Sequence, residues 1–157
     1  MTHEERAREL GLDLDAPARG GSYVPFTLFG ELVYVSGSTS AARPDRSITG
    51  RVGDSLELEE AQGAARLAAE NGVANLRLAA GSLDRVKRIL RLTGYVNATP
   101  DFTQHPEVVN AASDFLVELF GDAGRHARTA VGVASLPRNA AVEVELIAQL
   151  QHDDSER

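Results

Sequence analysis

A chain of 157 residues with 43% apolar content and a formal charge of -7 is sized for one compact domain that buries a core without covalent staples. The lack of cysteine excludes disulfides and thiolate chemistry, and no stretch approaches the roughly 20 apolar residues of a membrane helix. The acidic balance and scattered basic residues argue against nucleic acid as a partner, and the opening MTHEERAREL has no signal-like apolar run, so a cytoplasmic location away from membranes is expected.

Thr2 and Glu5 have capping-box spacing and Ala7, Leu10 and Leu12 extend only a short helix, so residues 1–21 are expected to form a helix-and-loop appendage to a core spanning 22–150. Tyr23–Phe29 and Leu32–Ser36 are rich in β-branched and aromatic residues, and Gly30-Glu31 between them suits a two-residue hairpin turn. Residues 38–56 lack periodicity and read as a long irregular loop. From Glu59 to about Ala80, small residues recur at helical spacing behind acids Glu57, Glu59 and Glu60, which predicts a slim amphipathic helix that lies close on a sheet. Val86–Asn97 alternates as a long strand. Pro106 then opens a second helix carrying Val108, Val109, Ala112, Phe115, Leu116 and Leu119, ended by Gly121. Thr129–Ala134 and Ala141–Leu150 close the chain as strands. This order predicts an α+β domain: one mixed β-sheet with two long helices on one face. The strands are apolar on both faces and no third long helix exists, so the uncovered face predicts a homo-oligomer.

In the last strand Val142, Val144, Leu146, Ala148 and Leu150 point to the helices, whereas Glu143, Glu145, Ile147 and Gln149 point the other way. In the preceding strand Arg128 heads a row with Ala130, Gly132 and Ala134. Small side chains beside a guanidinium leave room for a ligand, and the planar fork of arginine suits a carboxylate. Taken by pattern alone, an arginine or glutamate at a strand end is more often a solvated or ion-paired surface residue. His126 precedes the strand without a second histidine at ligand spacing, so packing is its simpler reading. Asn97, at the end of the long strand, is a further candidate for the same ligand space.

The stretch GRHARTAVGVASLPRNAAVEVELIAQL resembles the C-terminal signature of the Rid family, the YjgF-type reactive intermediate deaminases, in which an A-R-[ST] strand start precedes a Leu-Pro turn and a V-E-[IV]-E strand. GSYVPF around Tyr23, GELVYVSG ending at Gly37, GSLDRVKRILRLTGYVN, and DFTQHPEVVNAASDFLVELFG with Asn110 resemble that family in the same order. The likeness covers residues 20–150 and is nearest to a longer branch that also begins with a short helix and carries GRHAR. It implies a chorismate-mutase-like fold, a homotrimer whose sheets form a central barrel, and clefts between subunits that hydrolyse enamines and 2-imino acids to 2-oxo acids and ammonia without metal or organic cofactor. By this resemblance Arg128 binds the substrate carboxylate and Glu143 handles the water, with Glu145 on the same face as the alternative acid. Tyr23, Gly37 and Asn110 line the pocket, and Ala130 offers a backbone N–H where the archetypes carry cysteine. A non-catalytic trimer that binds small carboxylates or a protein partner is the second expectation. An endoribonuclease or translation inhibitor ranks third, because neither a histidine pair nor a basic aromatic face is present.

Overall fold

The computed structural model describes residues 1–156. A short helix α1 (His3–Glu9) opens the chain on the expected Thr2–Glu5 capping box. Strands β1 (Phe26–Phe29) and β2 (Leu32–Thr39) form the hairpin, with Gly30 at a φ of 59° that a side chain would disfavour. The first long helix, α2 (Leu58–Ala80), leads through a short turn to β3 (Val86–Asn97). Helix α3 (His105–Phe120) follows, then β4 (Ala127–Val133) and β5 (Val142–Leu150).

The five strands form one sheet in the order β1-β2-β5-β3-β4, parallel only between β3 and β4. The parallel pair requires a crossover, and α3 supplies it. Both long helices pack on one face of the mixed sheet, as expected from their apolar stripes. Val33, Val35, Leu92, Val96, Phe115, Leu116, Val142, Val144 and Leu146 are buried between the layers. The slim face expected of α2 understates its burial: sheet, α3 and neighbouring loops bury residues around most of it, including Glu70, Asn71 and Asn75. Among the described residues no helix covers the opposite sheet face, and Tyr34 (46% exposed) and Val131 (40%) stand open on it.

Strand ends moved in two places that matter. β2 continues to Thr39 rather than ending at Ser36, because a β-bulge between Val35 and Ser38 lets pairing to β5 resume after an extra residue. β4 begins at Ala127, two residues earlier than Thr129, and so includes Arg128. The 38–56 loop has a defined anchor. Thr49 bridges Ala140, Ser40 Oγ accepts from the amides of Ala141 and Val142, and the Gly50 amide donates to the Asn139 carbonyl. It therefore braces the turn that joins β4 to β5.

Residues 10–25 run back to the sheet edge. Arg43 holds them: its guanidinium donates to Asp13 Oδ2 at 2.8 Å and to the Asp15 carbonyl, and its Nε donates to Asn71 Oδ1 at 2.9 Å. Glu4 is buried and accepts from Arg77 Nε at 2.8 Å and the Leu83 amide at 2.9 Å. Among the described residues, no helix is long and apolar enough to cross a membrane.

Candidate functional site

Register decides which of the expected residues share a face. Gly94 pairs with Val144 and with Ala130, Leu92 with Leu146 and with Arg128, while Tyr95 pairs with Glu143. Paired residues point to the same side of a sheet and successive residues to opposite sides. Arg128 and Ala130 therefore face the helices, and Glu143 faces the open side. Within one chain the sheet itself separates the guanidinium from the acid.

The Arg128 group sits between β4 and α3. Arg128 is half-buried, and its Nη1 donates to Asn110 Oδ1 at 2.7 Å and to Ser113 Oγ at 3.3 Å. Both N–H bonds of Nη1 are thereby used, which leaves Nε and Nη2, the side of the fork suited to a carboxylate. No acid pairs with Arg128 among the described residues. Ala130 packs beside it against the core. Asn110 lies off the buried stripe of α3, and that is why it is free to reach β4.

Ser113 and His126 complete this group, although the sequence pattern assigns His126 to packing and does not single out Ser113. His126 Nδ1 lies 2.6 Å from the Gly124 carbonyl, which accepts only, so Nδ1 carries the proton. Its Nε2 is then the acceptor for the Ser113 hydroxyl at 2.9 Å, and Ser113 Oγ is left to accept from Arg128. Burial, aided by the Arg128 charge, holds the His126 imidazole below its ordinary pKa and favours this neutral form. His126 is thus a packed histidine, and it also orients the hydroxyl that orients Arg128. Ser113 follows Asn110 by three positions, a helical neighbour, and that spacing was the signal for it.

The Glu143 group sits where β2 bulges against β5, the central strand. A Cβ placed on Gly37 would strike the Glu143 carboxylate, so only glycine lets the acid lie over that backbone. Burial, reinforced by the neighbouring Glu145 charge, pushes Glu143 above the usual carboxylate range. No cation pairs with it among the described residues. It opens into a cavity of about 400 Å³, whose wall includes Tyr23, Gly37, Asn75, Arg19 and Arg138. Tyr23 Oη accepts from the Gly20 amide at 3.3 Å and fixes that wall.

The two alternatives on this side resolve differently. Glu145 accepts a 2.6 Å hydrogen bond from Tyr95 Oη, whose pKa is pushed up to about 12 chiefly by that bond, so Glu145 is engaged on the sheet. Asn97 does not reach a cleft: it is buried and its Nδ2 donates to the carbonyls of Gly50 and Ala140. Its place at a strand end looked functional, but its amide holds the β4–β5 turn.

The chain thus presents two separated groups, a clamp of Arg128, Asn110 and Ser113 and an acid cavity of Glu143, Gly37 and Tyr23. Among proteins with known sequence or structure, it is 42% identical over 147 residues to Protein TCP17 of Trypanosoma cruzi, covering 92% of each chain. Its fold matches the crystal structure of Atu1372, a protein of unknown function from Agrobacterium tumefaciens, at a TM-score of 0.85 and 40% identity, over 95% of this chain and 92% of that one. It also matches E. coli TdcF, solved with bound serine, at a TM-score of 0.62 and 28% identity, over 87% and 94%. The profile of the family described as "YjgF/chorismate mutase-like, putative endoribonuclease" matches residues 4–150. The motif order, the mixed five-stranded sheet and this match across nearly the whole chain agree: the protein belongs to the YjgF, or Rid, family.

Proposed function

We propose that the protein hydrolyses 2-imino acids, and the enamines that tautomerise to them, to 2-oxo acids and ammonia, in a site completed between copies of the chain. The observation that carries this reading is the separation of two complementary half-sites on opposite faces of one sheet. Each is unfinished alone: among the described residues Arg128 has a free fork and no acid in ion-pair range, and Glu143 lines a cavity with no cation in ion-pair range. β4 is an edge strand and the Glu143 cavity lies toward the other edge. A head-to-tail contact between copies brings one group to the other, and such contacts close into rings. A trimer whose open sheet faces form an inner barrel also covers Tyr34 and Val131.

In that site Nε and Nη2 of Arg128 bind the substrate carboxylate, and the backbone N–H of Ala130 adds a donor. The adjacent C=N carbon is thereby held near Glu143. Glu143 takes a proton from water as the oxygen attacks the carbon of the protonated imine, forming a carbinolamine. The same carboxyl returns that proton to nitrogen, the C–N bond breaks as the hydroxyl proton passes to Glu143, and ammonia leaves with the 2-oxo acid. An acid whose pKa lies above the usual range is better matched to both transfers near neutral pH. The serine bound to TdcF is in keeping with a small carboxylate ligand.

The test generates an imine from an amino acid with its oxidase and traps what survives with semicarbazide. Clearance faster than in a protein-free control is expected, and Glu143→Gln should slow it about 100-fold or more. Clearance no faster than the control overturns hydrolysis. Thermal stabilisation by a 2-oxo acid that Arg128→Ala removes, without turnover, would instead identify a carboxylate-binding trimer.

A further inference from the structure

The cavity beside Glu143 has an uneven charge for a protein of formal charge -7. Its charged wall residues are Glu143 and two arginines, Arg19 and Arg138. No carboxylate lies in ion-pair range of either arginine among the described residues, although acids outnumber bases along the chain. Some other arginines of this chain find acids, as Arg6, Arg46 and Arg66 do, so what sets Arg19 and Arg138 apart is that both line one cavity.

The backbone that carries each arginine is fixed by contacts with the body of the protein. Arg138 adopts φ 56° and Asn139 φ 57°, left-handed conformations that side-chain-bearing residues seldom take. The surrounding contacts impose this: Asn97 Nδ2 bonds the Ala140 carbonyl, and the Gly50 amide bonds the Asn139 carbonyl. The Arg138 guanidinium lies over Gly20, where an added Cβ would meet Nη2 at 3.5 Å. Arg19 donates from Nη1 to the Tyr23 carbonyl at 3.3 Å, which leaves most of its donors unused. The segment carrying Arg19 is tied to the body of the protein by Arg43.

We propose that Arg19 and Arg138 form a second anion subsite, which selects substrates bearing a carboxylate on the side chain: 2-imino diacids, the imines of acidic amino acids. This rests on the reading of the Glu143 cavity as the deaminase site, with Arg128 binding the first carboxylate. Two guanidiniums at the cavity wall then answer the second negative charge, which an apolar pocket would reject. The N-terminal segment becomes a specificity element, since it brings Arg19 to a cavity otherwise built by the sheet, α2, the 38–56 loop and the β4–β5 turn.

Binding and turnover are measured separately so that the two readings fail separately. Calorimetric titration compares 2-oxoglutarate with 4-methyl-2-oxopentanoate on the wild type, Arg19→Met, Arg138→Met and the double variant. The wild type should bind the diacid about tenfold more tightly than the monoacid. Each single variant should lose part of that preference and the double variant all of it, while monoacid binding stays within about twofold. Both arginines are exposed, so the variants fold. Equal affinity for both acids in the wild type, or a preference that survives in the double variant, overturns the subsite. Imine clearance is then compared with glutamate oxidase and with a leucine oxidase as generators, and the diacid imine should be cleared faster. Diacid preference in binding with no clearance of either imine upholds the subsite and sinks the deaminase. Clearance of both imines at equal rates, with no binding preference, does the reverse.

Discussion

Gly94→Ala tests how the clamp is positioned. Gly94 lies in β3 beneath α3, and an added Cβ would stand 2.7 Å from both γ-carbons of Val109 and 3.3 Å from its Cβ. Ordinary carbon contacts lie at about 3.5–4.0 Å, so the helix or the valine must retreat by about 1 Å. Val109 is fully buried and has nowhere to turn. Overpacking of this kind costs about 1–3 kcal/mol, offset by up to ~1 kcal/mol because alanine restricts the unfolded chain more than glycine. A net loss of about 1–2 kcal/mol lowers Tm by roughly 2–8 °C in a domain of this size. Val109→Ala alone leaves a void and costs about 2 kcal/mol. The double variant refills that void, so its loss should fall short of the sum of the singles by about 1–2 kcal/mol. Urea unfolding of the four proteins measures this coupling. Asn110 follows Val109 directly and Ser113 lies one turn on, so Gly94→Ala should also raise KM for the imine, and Val109→Ala should restore it. Additive stabilities would refute the packing argument, and unchanged KM in Gly94→Ala would refute the claim that α3 sets the clamp.

Three other substitutions follow from the site. Because burial and then the Glu145 charge raise the Glu143 pKa, the folded protein holds this proton more tightly than the unfolded chain, and ionising Glu143 costs stability. Glu143→Gln should therefore match the wild type below pH 4.5 and become more stable than it as the pH rises through the raised value; thermal melts from pH 4 to 8 measure the gap, and parallel curves refute it. Ser113→Ala removes an acceptor of Arg128 and a donor to His126; it should raise KM about fivefold with kcat within about twofold, roughly the worth of one hydrogen bond near 1 kcal/mol. Gly37→Ala displaces the Glu143 carboxylate and should lower kcat about 100-fold while 2-oxo acid binding at Arg128 persists; retained kcat would remove Glu143 from the chemistry.

The elements were legible from local patterning. The apolar stripe at Val108, Val109, Ala112, Phe115 and Leu119 placed α3, and alternation from Val142 to Leu150 placed β5 with its buried row correctly named. Where local pattern misled, the cause was a longer-range bond. The bulge after Val35 extends β2 because β5 resumes pairing beyond it, and Asn97 is spent on carbonyls more than 40 positions away. Tyr23, Gly37 and Glu143 do gather in one cavity, and Asn110, Ala130 and Arg128 do gather under α3.

Periodicity is a property of neighbours in the chain, so residue order alone determined the helices, the strands and the inward rows. The strand order, β1-β2-β5-β3-β4, and the register of its pairs depend on contacts between distant segments, and the register decided that Arg128 and Glu143 stand on opposite faces. The cavity likewise needed the tertiary fold. Arg19 and Arg138 are 119 positions apart, and they share one wall because Arg43 anchors the segment carrying Arg19 while Asn97 and Gly50 pin the turn carrying Arg138.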